Sequence, residues 1–207
     1  MLDTKTIILY IVASIVAYLF GSIPWALVIG KVFYNTDIRD FGSGNLGASN
    51  AGRVLGKNAA ISAGILDILK SFVVVVGLSF INKDLAVITG MFACIGHCFP
   101  IFANFRGGKA VATNACYIMA TSIFINNNFL IQVLVPLLVI IVVLYLSKMI
   151  SLASIIGLTT ASIIALFQPN TLVTIGIILL SALSVLRHKI NIKRIIAGNE
   201  NKVKWLG

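Results

Sequence analysis

Long apolar runs separated by short polar segments make up most of this chain. Seven uninterrupted apolar stretches cover residues 7–29, 59–81, 85–105, 111–125, 129–146, 152–167 and 171–186. A helix needs about 20 apolar residues to cross a bilayer, and the chain lacks the strict apolar and polar alternation of barrel strands. The pattern therefore predicts an all-α, polytopic transmembrane bundle with seven spans. Six spans are the alternative, because the fourth, sixth and seventh stretches are short.

The composition supports this class of protein. Of the 207 residues, 59% are hydrophobic and 11% are charged, which is more apolar surface than a soluble domain of this length could bury. The first stretch is too long for a cleaved signal peptide, so we expect it to belong to the folded protein. We expect one domain over residues 1–207, embedded in a lipid bilayer.

The basic residues predict the orientation in the membrane. With seven spans, segments 30–58, 106–110, 147–151 and 187–207 lie on one side. They hold 13 of the 16 lysines and arginines, namely Lys31, Arg39, Arg53, Lys57, Arg106, Lys109, Lys148, Arg187, Lys189, Lys193, Arg194, Lys202 and Lys204. Positive charge accumulates in cytoplasmic segments, so the N-terminus is predicted outside and the C-terminus inside. This sorting explains much of the net charge of +10, and no nucleic-acid partner is predicted.

The cysteines and acidic residues predict no metal or other cofactor. Cys94, Cys98 and Cys116 do not form a disulfide framework, and His97 stands before Cys98 rather than after it, as haem attachment would require. The chain has six acidic residues. This shortage argues against a phosphotransferase that clusters carboxylates around two metal ions.

The first of three polar segments on the predicted inner side is SGNLGASNAGRVLG, residues 43–56. Gly42, just before this segment, and Gly44 and Gly47 within it can adopt positive φ and direct successive N–H groups towards an anion. The neutral donors are Ser43, Asn45, Ser49 and Asn50. Arg53 adds a planar cation suited to a phosphate. The alternative is a flexible loop with a helix cap.

The second polar segment is GHCFPIFANFRGGKAVAT, residues 96–113. Gly107, Gly108 and Lys109 lie just before a predicted helix that includes Thr113, where free N–H groups and the positive end of the helix dipole favour an anion. A tight basic turn is the alternative. His97 is expected to be packed inside the bundle rather than to act in catalysis.

The third polar segment is RHKINIKRIIAGNE, residues 187–200. His188, Asn191 and Arg194 recur at helical spacing and can share a face, unless this is only an interfacial basic helix. Asp67 and Lys70 lie within the second apolar stretch at i and i+3. They are expected to form a supporting ion pair, or else Asp67 orients a basic residue in the site.

Taken in this order, and with GSIPWALVIGK ahead of the first, the three segments resemble the signature segments of the acyl-phosphate-dependent glycerol-3-phosphate acyltransferases, the PlsY family. The resemblance covers essentially the whole chain. It implies a seven-span enzyme of the bacterial plasma membrane with its active site on the cytoplasmic face. Such an enzyme moves a fatty acyl group from acyl phosphate to the 1-position of sn-glycerol 3-phosphate, giving lysophosphatidic acid and inorganic phosphate. The acyl-phosphate-producing enzyme is a possible partner.

The resemblance also implies which positions form the site. The matching residues are Ser43, Gly44, Asn45, Gly47, Ser49, Asn50 and Arg53 in the first segment, Gly107, Gly108, Lys109 and Thr113 in the second, and His188, Asn191 and Glu200 in the third. Two positions depart from the family's pattern, which commonly has Thr at Ser49 and Gly at Ala110. The methyl group of Ala110 should cost little if φ is negative and disturb the loop if φ is positive.

The chemistry expected of these residues is direct acyl transfer. Arg53 and Lys109 are predicted to clamp phosphate. The backbone at Gly44 and Gly47, with Ser43 and Asn45, is predicted to bind the acyl phosphate or the developing oxyanion. His188 and Asn191, assisted by Arg194, are predicted to bind glycerol 3-phosphate, and His188 has a pKa suited to a general base. A substrate phosphate could take that role instead.

Two other functions fit parts of the sequence. A membrane transporter of phosphate esters is favoured only by Asp67 and Lys70, since transporters bind near the midplane and have internal repeats. A structural protein that binds anionic lipid explains the basic tail but gives no role to the two glycine-containing loops.

Overall fold

The computed structural model describes residues 3–203. Within them the chain forms ten α-helices and no strands. The helices are α1 (Thr4–Gly21), α2 (Trp25–Tyr34), α3 (Ala48–Leu55), α4 (Lys57–Ser79), α5 (Lys83–Cys98), α6 (Val111–Phe124), α7 (Val135–Ser147), α8 (Ile150–Ala165), α9 (Thr171–Arg187) and α10 (Lys189–Ile196). A π-helical turn, Leu130–Leu134, leads directly into α7. The predicted all-α architecture is confirmed.

The seven predicted apolar stretches overlap, in order, the helices α1 and α4 to α9. Four helical segments of the described chain are long and apolar enough to cross a membrane, namely Thr4–Gly21, Lys57–Ser79, Lys83–Ala103 and Leu130–Ser147. The pair α9 and α10, bent by 60°, is a fifth candidate, while α2, α6 and α8 are shorter apolar helices. The number of spans and the orientation of the termini stay predictions.

The first apolar stretch is not a single helix, and its prediction as one span over residues 7–29 is wrong. Helix α1 ends at Gly21 and α2 begins at Trp25. Pro24 has no N–H group to continue the hydrogen bonds of α1. The break also lies against α5, since a Cβ atom on Gly21 would come 2.1 Å from the Ala93 carbonyl oxygen. Sequence reasoning overlooked this proline.

The helices belong to two compact units, Met1–Tyr117 and Ile118–Gly207, with the division inside α6. In the first unit α5 packs against α1 and α4, and α4 also packs against α2 and α3. Small residues allow the closest approach. A Cβ atom on Gly96 of α5 would come 2.3 Å from the Tyr18 carbonyl oxygen, and the Tyr18 hydroxyl donates to the Phe99 carbonyl oxygen at 2.7 Å.

In the second unit α8 packs against α7 and α9, and α10 packs against α8 and α9. The buried face of α8 is made of small residues, including Ser151, Ser154, Gly157, Ala161 and Ala165. The chain after α10 returns to the start of α8, because the Val203 N–H group donates to the Lys148 carbonyl oxygen at 2.8 Å. This return positions Glu200.

Candidate active site

The loop between α2 and α3 is fixed by its apolar residues before any polar contact is considered. Ile38 and Leu46 are buried in one hydrophobic cluster with Ala51 of α3 and Ala103 from the second polar segment. This cluster attaches both ends of the glycine-containing loop to the first unit. It also places the first two polar segments on one shared core.

Two of the three loop glycines have the backbone conformation expected of them. Gly42 has φ +62° and Gly44 has φ +66°, which confirms the turn predicted there. Gly47 has φ −114° and is the N-cap of α3 in an extended conformation, so it does not use the positive φ that glycine allows. A Cβ atom added there would meet no other atom within 4 Å, so the packing of the protein does not itself require glycine at this position.

Asn50 holds the loop in shape. Its Oδ1 atom accepts a hydrogen bond from the Ser43 N–H group at 2.8 Å, and its Nδ2 atom donates to the carbonyl oxygens of Ile38 at 2.9 Å and Phe41 at 3.2 Å. The side chain is 1% exposed. Both ends of the amide are thus occupied by loop backbone, a role that the sequence prediction of substrate contact missed.

The amino end of α3 presents unpaired donors beside this loop. No side chain caps the helix, and within the described residues the N–H groups of Ala48 and Ser49 have no hydrogen-bond acceptor. Ser49 and Arg53 are exposed and one helical turn apart, so they share a face. The Asn45 Oδ1 atom is buried and has no hydrogen-bond partner in the described chain. This end of α3 has the donors of an anion site.

An ion-pair group lies at the start of the same loop. Asp37 accepts from the Arg39 Nε atom at 2.9 Å and lies 3.3 Å from the Lys31 ammonium nitrogen. The hydrogen bond from Arg39 holds the pKa of the Asp37 carboxyl well below its ordinary value. Any stability that this group contributes is therefore present at neutral pH and is lost only in strong acid.

The glycine pair of the second segment serves close packing. The Gly108 N–H group donates to the His97 carbonyl oxygen at 3.0 Å, so it is not available for an anion as predicted. A Cβ atom on Gly107 would come 2.2 Å from that same oxygen, and one on Gly108 would come 2.0 Å from His97 Nε2. Glycine is required at both positions because the chain presses against the end of α5.

A buried polar cluster lies behind this turn. The Lys70 ammonium nitrogen is 2.9 Å from Asp67 Oδ1 and 3.3 Å from His97 Nδ1, and the Asp67 oxygen is 3.4 Å from the same histidine nitrogen. All three residues are buried. The predicted ion pair and the predicted packing of His97 are confirmed, but sequence reasoning did not foresee that they form one cluster.

Helix α6 is tied to α4 by a pair of hydrogen bonds. The Thr113 hydroxyl donates to the Asp67 carbonyl oxygen at 3.1 Å, and the Ser71 hydroxyl donates to the Thr113 carbonyl oxygen at 2.5 Å. Thr113 is fully buried, and both bonds hold α6 in place, a structural role that the sequence analysis did not assign to it. Ala110 has φ +54°, the case in which its methyl group is unfavourable.

The third polar segment belongs to the second unit. His188 is 2% exposed, and its Nδ1 atom lies 2.7 Å from the Ser184 carbonyl oxygen. Because a carbonyl can only accept, Nδ1 carries the proton, and in the neutral ring Nε2 has the lone pair. Asn191 Nδ2 donates to Glu200 Oε1 at 2.6 Å, and Ser151 donates to the same oxygen at 2.9 Å.

Sequence reasoning missed Ser151, whose hydroxyl donates to Glu200, and the backbone carbonyl of Ser184, which accepts from His188. A serine within an apolar helix often bonds to its own backbone, so nothing in the sequence distinguished Ser151, and a backbone carbonyl has no sequence signal at all. Arg194 is exposed on α10. The predicted site residues of the first unit are therefore backbone and cationic groups. Those of the second unit are a buried histidine, a half-buried amide, a buried carboxylate and the exposed Arg194.

Comparison with known proteins identifies the family of this chain. Residues 11–198 match the family model of glycerol-3-phosphate acyltransferases. A glycerol-3-phosphate acyltransferase of Listeria monocytogenes is 45% identical over 200 residues, covering 95% of this chain and 98% of that protein. Glycerol-3-phosphate acyltransferase 2 of Bacillus anthracis is 41% identical over 195 residues, covering 93% and 98%.

Two crystal structures of PlsY, described as an integral membrane glycerol 3-phosphate acyltransferase, have the same fold. Its glycerol 3-phosphate form superposes with a TM-score of 0.86 at 32% identity over 95% of this chain and 96% of that one. Its lysophosphatidic acid form gives 0.81 at 31% identity over 93% and 94%. The chain therefore belongs to the family of integral membrane glycerol-3-phosphate acyltransferases.

Proposed function

We propose that this acyltransferase uses acyl phosphate as its donor and acylates the 1-position of sn-glycerol 3-phosphate, giving lysophosphatidic acid and inorganic phosphate. The observation that carries the proposal is the amino end of α3, where the N–H groups of Ala48 and Ser49 lie beside a glycine-containing loop. The exposed Arg53 side chain follows one helical turn later on the same face as Ser49. These groups suit the charge of a phosphate.

The chemistry of acyl phosphate fits a site without a covalent nucleophile. An acyl phosphate is a mixed anhydride with a good leaving group, so a bound hydroxyl can attack it directly. Catalysis then requires that the substrates be held together and that negative charge on the carbonyl oxygen be stabilised. The three cysteines, the strongest nucleophiles in the chain, are buried.

We assign the steps as follows. The 1-hydroxyl oxygen of glycerol 3-phosphate attacks the acyl carbonyl carbon, the bond from that carbon to the phosphate oxygen breaks, and phosphate leaves. Arg53 and Lys109 clamp phosphate, while Ser43, Asn45 and the backbone at Gly44 and Gly47 support the acyl phosphate or the oxyanion. The proton of the hydroxyl passes to His188 Nε2 or to a substrate phosphate.

His188 and Asn191 bind glycerol 3-phosphate in this proposal, with Arg194 adding positive charge. Ser49 supplies its hydroxyl and N–H group beside Arg53. Four other predicted residues support these groups without contacting substrate. Asn50 shapes the loop before α3, Gly107 and Gly108 let the turn before Lys109 pack against His97, and Glu200 orients Asn191.

The location follows from the same proposal. The chain is a multi-pass membrane protein; we assign it to the bacterial plasma membrane, with the site on the cytoplasmic face, where an acyl-phosphate-producing enzyme would supply the donor. Transport of phosphate esters is not favoured. Asp67 and Lys70, its main support, pair with each other and with His97.

The test uses purified protein in detergent with glycerol 3-phosphate and either palmitoyl phosphate or palmitoyl-CoA. We expect phosphate and lysophosphatidic acid in equal amounts with the acyl phosphate only. Arg53→Ala should lower kcat/KM by about 10- to 100-fold, since it removes a charged hydrogen bond. Lys57→Ala, which removes another exposed basic residue, should have little effect. Transfer from palmitoyl-CoA instead would overturn the donor assignment.

The role of His188 is tested by separating binding from chemistry. If Nε2 is the base, His188→Ala lowers kcat. A raised KM for glycerol 3-phosphate with unchanged kcat would assign His188 to binding and the proton transfer to a substrate phosphate.

A further inference from the structure

The cluster of Asp67, Lys70 and His97 lies in the first unit, on helices α4 and α5. Their exposed fractions are 3%, 1% and 7%. Charged residues inside a membrane helix are costly and are retained where they have a function. This cluster is directly behind the turn that carries Lys109, which suggests what that function is.

The protonation of the cluster follows from its donors. A lysine ammonium can only donate, so the 3.3 Å contact from Lys70 to His97 Nδ1 is a hydrogen bond in the tautomer that carries the ring proton on Nε2. The same ammonium lies 2.9 Å from the Asp67 carboxylate. Lys70 therefore links the carboxylate to the imidazole and fixes the orientation of the ring.

The far edge of that ring determines where the turn lies. His97 Nε2 is so close to Gly108 that no methyl group fits between them, and the His97 carbonyl oxygen accepts from the Gly108 N–H group. Gly108 is thus held by both the ring and the backbone of His97. The next residue along the chain is Lys109.

On the C-terminal side of Lys109, the chain is held by helix α4, which also carries Asp67 and Lys70. Thr113 donates to the carbonyl oxygen of Asp67, the residue that pairs with Lys70, and accepts from Ser71. Helix α4 therefore fixes the segment on both sides of Lys109, through His97 before it and through Thr113 after it. A long flexible lysine gains most from a backbone that is fixed in this way.

We propose that Asp67, Lys70 and His97 are positioning residues that set the place of the Lys109 ammonium group in the active site. The proposal rests on the phosphate-clamping role assigned to Lys109. The cluster does not touch substrate. It acts through the backbone of Gly108, so its loss weakens the binding of whichever substrate phosphate Lys109 holds.

The test first identifies that substrate. Lys109→Met is expected to raise KM for either acyl phosphate or glycerol 3-phosphate. His97→Leu removes the acceptor of Lys70, and the paired change Asp67→Asn with Lys70→Met removes both charges without leaving one unpaired. We expect each of these variants to raise the same KM by about tenfold and to leave the KM for the other substrate unchanged.

Two further variants separate positioning from general stability. His97→Asn places an amide oxygen near the position of Nδ1 and should recover most of the activity that His97→Leu loses. Gln132→Leu removes a buried polar side chain that bonds to the Ala161 carbonyl oxygen at 2.9 Å in the other unit. It should lower the melting temperature but leave both KM values of the folded protein unchanged.

The combination with Lys109→Met decides the outcome. If the cluster acts through Lys109, adding His97→Leu to Lys109→Met gives little further increase in KM, because the two changes share one interaction. Increases that multiply, equal increases in both KM values, or normal kinetics for the folded His97→Leu protein would overturn the proposal. A wild-type protein that transfers no acyl group from either donor would contradict the proposed function instead.

Discussion

Ala110 adopts a left-handed backbone conformation, φ +54°, immediately before α6. This conformation costs a residue with a side chain about 1–2 kcal/mol, whereas glycine adopts it freely but loses about 0.4–1 kcal/mol through its more flexible unfolded state. We therefore expect Ala110→Gly to stabilise the protein by about 0.5–1 kcal/mol and to retain full activity. Thermal unfolding in detergent, followed through reaction of the buried thiols, measures the change.

The matched control for Ala110→Gly is the reverse change at Gly198. Gly198 has φ +71°, and a Cβ atom there meets nothing within 4 Å, so Gly198→Ala isolates the effect of the backbone conformation. It should destabilise the protein by a similar amount. A loss of stability in Ala110→Gly would mean that the methyl group makes packing contacts worth more than the backbone cost.

Asn50 allows a sharper test of how the glycine-containing loop is held. Asn50→Asp preserves the acceptor for the Ser43 N–H group but places an oxygen against the carbonyl oxygens of Ile38 and Phe41. Losing these bonds should cost about 1–3 kcal/mol in the loop. We expect kcat/KM to fall at least about tenfold, with faster hydrogen exchange over residues 38–46.

The same substitution at Asn58, which is exposed at the start of α4, is the control and should leave activity and exchange unchanged. A folded Asn50→Asp protein with normal kcat/KM would show that the loop does not need this side chain.

Asn50 and Gly108 illustrate what could be predicted at the residue level. The sequence correctly indicates that both lie in functional segments, because amides and glycines are unusual among long apolar runs. It does not distinguish a residue that contacts substrate from one that supports it. That difference depends on whether the amide or the N–H group already has a backbone partner. The Gly108 N–H group bonds to the His97 carbonyl oxygen in the same segment, a contact set by how the chain turns and not by residue type.

At the level of elements, α1 and α5 approach so closely that only glycine fits at their contact. A Cβ atom on Gly96 would lie 2.3 Å from the Tyr18 carbonyl oxygen and 2.9 Å from the Ser22 nitrogen. These are backbone atoms, which cannot move without separating the helices. We expect Gly96→Ala to destabilise the protein by about 1–3 kcal/mol, measured by the same thermal unfolding.

Gly77→Ala in α4 is the control for this packing, because a Cβ atom there meets nothing within 4 Å. It should be neutral or stabilise the helix by about 0.5–1 kcal/mol. If Gly96→Ala behaves like Gly77→Ala, close packing of α1 on α5 is not what limits stability.

The helices themselves could be predicted better than their ends. Hydrophobicity located the helices α1 and α4 to α9, because the bilayer demands apolar residues over a fixed length. The ends depend on local chemistry. Asn82 and Asn170 accept hydrogen bonds from the first turns of α5 and α9, a signal visible in the sequence, whereas the π-helical turn before α7 has no comparable signature.

At the scale of the whole molecule, the distribution of basic residues predicts how the chain is oriented in the membrane. Lys5 and Lys83 are predicted outside the cell and Lys57 and Asn199 inside, which requires an odd number of spans. All four side chains are exposed, so each can be replaced by cysteine as a label site. The native cysteines are buried and should contribute little background.

A membrane-impermeant maleimide should label Lys5→Cys and Lys83→Cys in intact cells, and Lys57→Cys and Asn199→Cys only after the membrane is opened. Labelling of both Lys5→Cys and Asn199→Cys in intact cells would indicate an even number of spans and favour six. Exclusion of Lys83→Cys together with labelling of Lys57→Cys would reverse the orientation. The first polar segment would then face outward, away from any donor made in the cytoplasm, so this measurement also tests whether the proposed active site can receive its substrate.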